Sequence, residues 1–168
     1  CGKSTAIKIL LGLEKVTSGQ VLYDQMSHEG LDMQTVRQQC GVVLQNSKIS
    51  AGSVLFNITT GMEISMSAAW EAAEDSGFAD DIRALPMEMH TVLPEGGGSL
   101  SGGQQQRLLI TRALAKNPAF VVFDEATSAL DNETQNIVTR SLKSRKITRI
   151  VVAHRLSTII DADIIHVL

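Results

Sequence analysis

Cysteine is scarce in this 168-residue chain: Cys1 and Cys40 are the only two, and they form neither a disulfide framework nor a metal-ligand spacing. That excludes a disulfide-stapled scaffold and a zinc module, and leaves both residues as small, reduced, buried side chains in an expected cytosolic compartment. Basic charge is not in excess either. Lys and Arg number 15 against 18 Asp and Glu, a formal net charge of −3 with a pI of about 5.8. A nucleic-acid surface needs a basic balance, so nucleic acid is not an expected partner. Long apolar runs are missing: no stretch approaches the roughly 20 residues that cross a bilayer, and no signal peptide opens the chain. Internal repeats and low-complexity linkers are absent too. What is present, at 43% hydrophobic residues, suffices for one sizeable core.

The order of apolar patterns is that of an α/β protein. Gly2-Lys3-Ser4 opens a helix carrying Ile7, Leu10 and Leu11, and Gly12 with Thr17-Ser18-Gly19 ends it before a short strand over Gln20–Tyr23. A brief helix is expected near Met33–Gln38, then the strand Cys40–Leu44 with Gln45 at its end. Residues 66–86 carry helix formers such as Ala68, Ala69, Ala72 and Ala73, with a second short helix around Ala79–Leu85. Ser101 reads as the N-cap of a helix reaching about Lys116, which Asn117-Pro118 stops. A strand over Ala119–Asp124, a helix after Asp131, a strand over Thr148–Ala153, a short helix and a final strand over Ala162–Leu168 complete the pattern. Such alternation implies a mainly parallel sheet covered by helices, interrupted by a helical insertion at about residues 66–117.

Three groups of residues carry chemistry. Cys1-Gly2-Lys3-Ser4-Thr5 matches the tail of a Gly-x-x-x-x-Gly-Lys-Ser/Thr phosphate loop whose first glycine is absent. Backbone N–H groups at a helix start bind phosphate oxygens, a lysine neutralises their charge, and the next hydroxyl can ligate Mg²⁺. The apolar run Phe120-Val121-Val122-Phe123 delivers Asp124 and Glu125, one acid to a metal and one to polarise a water, although such a pair can also merely end a strand and cap a helix. Leu100-Ser101-Gly102-Gly103-Gln104 opens an amphipathic helix with exposed backbone N–H groups, a seat for anionic phosphate.

In this order the three groups resemble the ATP-binding cassette (ABC) ATPases, over essentially the whole chain. The resemblance implies a P-loop NTPase fold of the RecA-like type, with ATP and Mg²⁺ as ligands and residues 1–168 as part of one ATPase domain. It implies that Gly2, Lys3, Ser4 and Thr5 bind ATP, that Ser4, Asp124 and Gln45 (the Q-loop position) hold Mg²⁺, and that Glu125 is the catalytic base. Ala153-His154-Arg155-Leu156 is similar to the switch-histidine segment, making His154 the contact to the γ-phosphate; His28, His90 and His166 have no comparable context. Ser128-Ala129-Leu130-Asp131 resembles the D-loop, so Asp131 couples two nucleotide sites, though it reads equally as an ordinary N-cap. Ser101, Gly102, Gly103 and Gln104 are the family signature, which closes over ATP bound to a second, head-to-tail nucleotide-binding domain. Gln105 stands where many relatives have a basic residue.

Thr91-Val92-Leu93-Pro94-Glu95-Gly96-Gly97 looks like the X-loop of ABC exporters, with Pro94 and Gly97 in place of the commoner Gly and Arg, and the surrounding wording is similar to the bacteriocin- and peptide-exporting branch. The resemblance therefore implies an exporter acting at the cytoplasmic face of the cell membrane, with transmembrane domains as partners. An importer ATPase subunit, or a soluble ABC ATPase working on ribosomes or DNA, shares the same motifs. The partial phosphate loop, the missing initiating Met and an end inside a strand read as a piece truncated at both ends, which by itself is expected to hydrolyse nothing.

Overall fold

A computed structural model describes residues 2–126, 129–152 and 162–167. The chain opens with helix α1 (Lys3–Leu10), preceded by Gly2 in the left-handed region at φ 81°. Strands β1 (Leu22–Tyr23) and β2 (Met26–Ser27) follow, then helix α2 (Met33–Gln38), capped by Asp32, whose carboxylate accepts from the Gln34 N–H at 3.0 Å. Strand β3 (Cys40–Val43) leads through β4 (Gly52–Ser53) to helices α3 (Val54–Thr59), α4 (Met66–Asp75) and α5 (Ala79–Arg83). After β5 (Val92–Leu93) come the long helix α6 (Gly102–Leu114), strand β6 (Phe120–Asp124), helix α7 (Asn132–Ser144) and strand β7 (Thr148–Val152).

The central sheet is parallel, in the order β3-β6-β7, with Gly41 opposite Val121, Val43 opposite Phe123 and Asp124 opposite Val152. Both faces of its middle strand are covered, and strand alternation divides the core accordingly. Val121 and Phe123 join the larger cluster, with Leu108, Ile110 and Leu114 of α6 and Val54, Ile58, Ala69, Ala73, Phe78 and Ile82 from the shorter helices. Val122 and Cys40 point to the opposite face and meet Ile7 and Leu11 of the first helix. The result is a helix–sheet–helix sandwich in which α1 and α6 flank β3 and β6.

Several expectations are met closely and others shift. The 66–86 stretch is α4 and α5, separated where Gly77 takes φ 68°. The strand expected over Gln20–Tyr23 is only two residues long and belongs to an antiparallel hairpin instead of the parallel sheet. Asp24 and Gln25 both have positive φ (46° and 68°), the geometry that folds a two-residue hairpin back on itself. No strand forms over residues 162–167, where Ile164, Ile165 and Val167 are exposed: a strand needs a paired neighbour, and these residues have none among the described ones. Helix α3 and the pairing of β4 with β5 were not anticipated, although Ser53 is a legible N-cap whose hydroxyl accepts from the Phe56 N–H at 3.0 Å.

Candidate active site

The site gathers at the C-terminal ends of the parallel strands. Four apolar residues carry Asp124 to the end of β6, where its side chain is 5% exposed. The Ser4 hydroxyl, in the first turn of α1, donates to Asp124 Oδ2 at 3.0 Å across 120 positions of sequence. Gln45, just beyond β3, donates from Nε2 to Glu125 Oε2 at 3.3 Å. Four residues singled out from three separate segments thus meet in two contacts, side by side on consecutive residues of one strand end. Glu125 itself lies at φ 56°, in the left-handed region that non-glycine residues seldom occupy, while its N–H still pairs with the Val152 carbonyl at 3.2 Å. This turn interrupts the up–down alternation of the strand between the two carboxylates. Strain of this kind concentrates at functional sites.

Around these contacts lie groups suited to an anion. The first turn of α1 presents N–H groups that have no acceptor within the helix, with Lys3 half-buried at its first position and Thr5 exposed at its third. Nothing lies within 4 Å of where a Cβ on Gly2 would stand, so the approach to that turn is open. Ser4, Asp124 and Gln45 offer a hydroxyl, a carboxylate and an amide carbonyl, an all-oxygen set that fits a hard cation retaining waters and phosphate oxygens. Among the described residues no group of three or more His, Cys, Asp and Glu could hold a metal ion.

The signature turn is a closed hydrogen-bond motif. Ser101 Oγ accepts from the Gln104 N–H at 3.3 Å while Gln104 Oε1 accepts from the Ser101 N–H at 2.8 Å, a reciprocal capping box. Gly102 and Gly103 leave its outer surface bare: a Cβ on Gly102 would meet nothing within 4 Å, and one on Gly103 only an ordinary contact at 3.4 Å. The Ser101 and Gln104 side chains each accept from the other residue's backbone N–H, and Gln104 Nε2 also donates to Asp81 Oδ1 at 2.9 Å; among the described residues neither side chain reaches Ser4 or Asp124. The link between the two regions is Gln106, which accepts from the Ala129 N–H at 2.8 Å and donates toward the Glu125 carbonyl at 3.5 Å. Gln105 donates to the Gly97 and Leu100 carbonyls at 3.1 Å each and ties the preceding loop to α6.

Asp131 caps α7, accepting from Thr134 N at 2.8 Å and Thr134 Oγ1 at 2.9 Å, and these bonds hold its carboxyl below the usual range. Arg107 Nη1 stands 4.0 Å from it. His154 and Ser128 lie outside the described residues. The Thr91–Gly97 loop packs against the segment that follows Gln45: Thr91 O accepts from Val54 N at 3.0 Å and Gly96 N donates to Ile49 O at 2.9 Å. One hub escaped sequence reasoning. Asn57, 1% exposed, takes Arg112 Nη2 at 2.9 Å on its side-chain oxygen and Arg112 Nε at 2.6 Å on its carbonyl, pinning the post-Gln45 segment to α6. An arginine on the core-facing side of a helix was the only signal for it.

Comparison with known proteins identifies the family. The family model described as "ABC transporter" matches residues 1–128. Multidrug resistance protein 1 of Entamoeba histolytica is 42% identical over 174 residues, covering 100% of this chain and 13% of that protein. The alpha-hemolysin translocation ATP-binding protein HlyB of Escherichia coli O157:H7 is 42% identical over 165 residues, covering 96% of this chain and 23% of its own length. A solved structure of a bacterial Atm1-family ABC exporter with ATP bound superposes with a TM-score of 0.91 at 36% identity, over 96% of this chain and 29% of that one. The chain belongs to the ABC transporter family and has the ABC ATPase fold, and it spans less than a quarter of the length of these curated relatives.

Proposed function

We propose that this chain is part of the ATP-binding and hydrolysing domain of an ABC exporter, working at the cytoplasmic face of a membrane. The observation that carries the reading is the pair of contacts Ser4–Asp124 and Gln45–Glu125, which bring a phosphate-loop hydroxyl, a metal-binding acid, a loop amide and a general base to one strand end. Exporter relatives and the ATP-bound Atm1-family neighbour support it. No helix among the described residues is long and apolar enough to cross a membrane. Residues 66–117 form its helical insertion, and cargo choice lies with the membrane domain.

The residues divide the work. Gly2, Lys3, Ser4 and Thr5 cradle the ATP phosphates, the N–H groups of the helix start bonding oxygens and Lys3 balancing their charge. Ser4, Asp124 and Gln45 would hold Mg²⁺, which supplies charge neutralisation between the phosphates. Glu125, turned out of the strand, accepts a proton from and orients the attacking water, with Gln45 fixing its carboxylate. His154 contacts the γ-phosphate. Ser101, Gly102, Gly103 and Gln104 face outward to the nucleotide of a second domain, and Asp131 stands at the junction between the two sites. ATP thereby closes a head-to-tail dimer and hydrolysis reopens it, the motion passed to the membrane domains through the Thr91–Gly97 loop.

Glu125→Gln in the intact transporter tests the reading. ATP affinity is expected to stay unchanged while turnover falls by about 10² or more, with an ATP-bound dimer accumulating. Normal turnover in that variant removes Glu125 from the reaction.

A further inference from the structure

We propose that Asp81 is the positioning residue of the signature turn, holding Gln104 and Arg107 so that Ser101–Gln104 is presented preformed to the nucleotide of a second copy. The inference rests on the reading of that turn given above. Asp80 and Asp81 are adjacent acids in the first turn of α5, and the helix sends them in different directions. Asp80 is a surface group, 97% exposed in its side chain and paired with Arg83 at 2.8 Å. Asp81 is 21% exposed and turns onto α6. Its Oδ2 accepts from Arg107 Nε at 2.9 Å and Nη2 at 2.6 Å, and its Oδ1 accepts from Gln104 Nε2 at 2.9 Å.

These bonds decide the orientation of one amide. A carboxylate only accepts, so the Gln104 NH₂ must face Asp81 and the Gln104 oxygen must face the Ser101 N–H, where it sits at 2.8 Å. Without Asp81 the amide can rotate, placing NH₂ against N–H and opening the capping box that shapes Ser101, Gly102 and Gly103. The same carboxylate anchors the Arg107 fork, whose remaining nitrogen reaches toward Asp131 at the start of α7. Asp81 sits on a firm base, since Phe78, Ala79 and Ile82 beside it are 0–2% exposed. One acid therefore sets both the signature turn and its spacing from the segment after Glu125, without touching nucleotide itself.

The test uses the intact transporter. Asp81→Ala should lower turnover at saturating ATP by between about tenfold and 10²-fold, the range that misplacing a reacting group by an ångström commands. ATP affinity of the individual sites and the melting temperature should hold. In a Glu125→Gln background, the same change should weaken ATP-dependent association of the two domains, and Asp81→Glu should recover most of the turnover. Should Asp81→Ala not fold, Asp81→Asn keeps an acceptor for Gln104 but loses the charge opposite Arg107, and the same split between turnover and affinity is expected. Unchanged turnover overturns the proposal, as does a loss of affinity and melting temperature in step with turnover, because the damage would then be general. Ser101→Arg, run in parallel, separates the two readings. If it abolishes turnover while the Asp81 variants do not, only the role of Asp81 fails. If it too leaves turnover intact, the signature reading fails and takes this inference with it.

Discussion

Cys40 shows how completely a residue's chemistry is set by where the chain puts it. At 2% exposure beneath α1, burial pushes its thiol up to about 12 from an ordinary 9.0, against a smaller opposing pull from Lys116. At pH 8 the ionised fraction in the folded protein is then about 10⁻⁴, against about a tenth in the unfolded chain. Alkylation of the Cys40 peptide, followed by mass spectrometry, should accordingly be at least about a hundredfold slower in native protein than in denaturant. The raised value also links to stability. Below pH 9 both states hold the proton and nothing is lost; from pH 9 toward 12 the unfolded chain alone ionises, so stability falls with rising pH. Equal labelling rates in the two states would show that the thiol is not buried.

Among the elements, α6 lies unusually close against β3. A Cβ built on Gly41 would stand 2.6 Å from the Ala113 carbonyl oxygen and 3.1 Å from Val121 Cγ1, so only glycine lets the helix lie this close to the strand. That approach matters because β3 leads to Gln45 and α6 carries the signature turn and Gln106, the pieces that must be in register with Glu125. Gly41→Ala is expected to force the helix away and destabilise the fold by about 1–3 kcal/mol, as overpacking does. A urea denaturation curve with an unchanged midpoint would refute it. On another side of α6, Arg112 ties that helix to Asn57 of α3.

For the whole molecule, the notable property is that the Ser4–Asp124 contact and the Ser101–Gln104 turn stay apart within one copy. The phosphate-loop residues and the acids converge, while the signature turn bonds within its own layer and leaves its glycine surface open. Two copies arranged head to tail would bring that surface over the partner's Gly2-Lys3-Ser4. Cys1 adjoins that loop in sequence, so an S101C variant of the intact transporter should crosslink to Cys1 of the other copy only when ATP and Mg²⁺ are present, and a C1S change should abolish the product. Crosslinking that ignores nucleotide would sink the head-to-tail arrangement. Within each copy, Arg145 at the end of α7 holds Glu71 at 2.6 Å and also pairs with Asp75, tying α4 to the layer that follows Glu125.

Local patterns sufficed for whatever depends on near neighbours in sequence. The α/β order, the N-caps at Ser101 and Asp131, the apolar run ending in Asp124-Glu125 and the phosphate-loop tail were all legible, because caps, alternation and glycine turns act over a few residues. The assignment of roles to Gln45 and His154 rested on resemblance, since a glutamine or histidine after a strand carries no local signal. Tertiary structure alone brought Ser4 to Asp124 and Gln45 to Glu125, turned Glu125 out of its strand, and pointed Asp81 inward while its neighbour Asp80 faces solvent. It also made a hairpin of Leu22–Ser27 and gave residues 162–167 no strand partner among the described residues. The reason is common to all of these: a hydrogen-bond partner dozens of residues away is chosen by packing, and no window of sequence contains both ends of the bond.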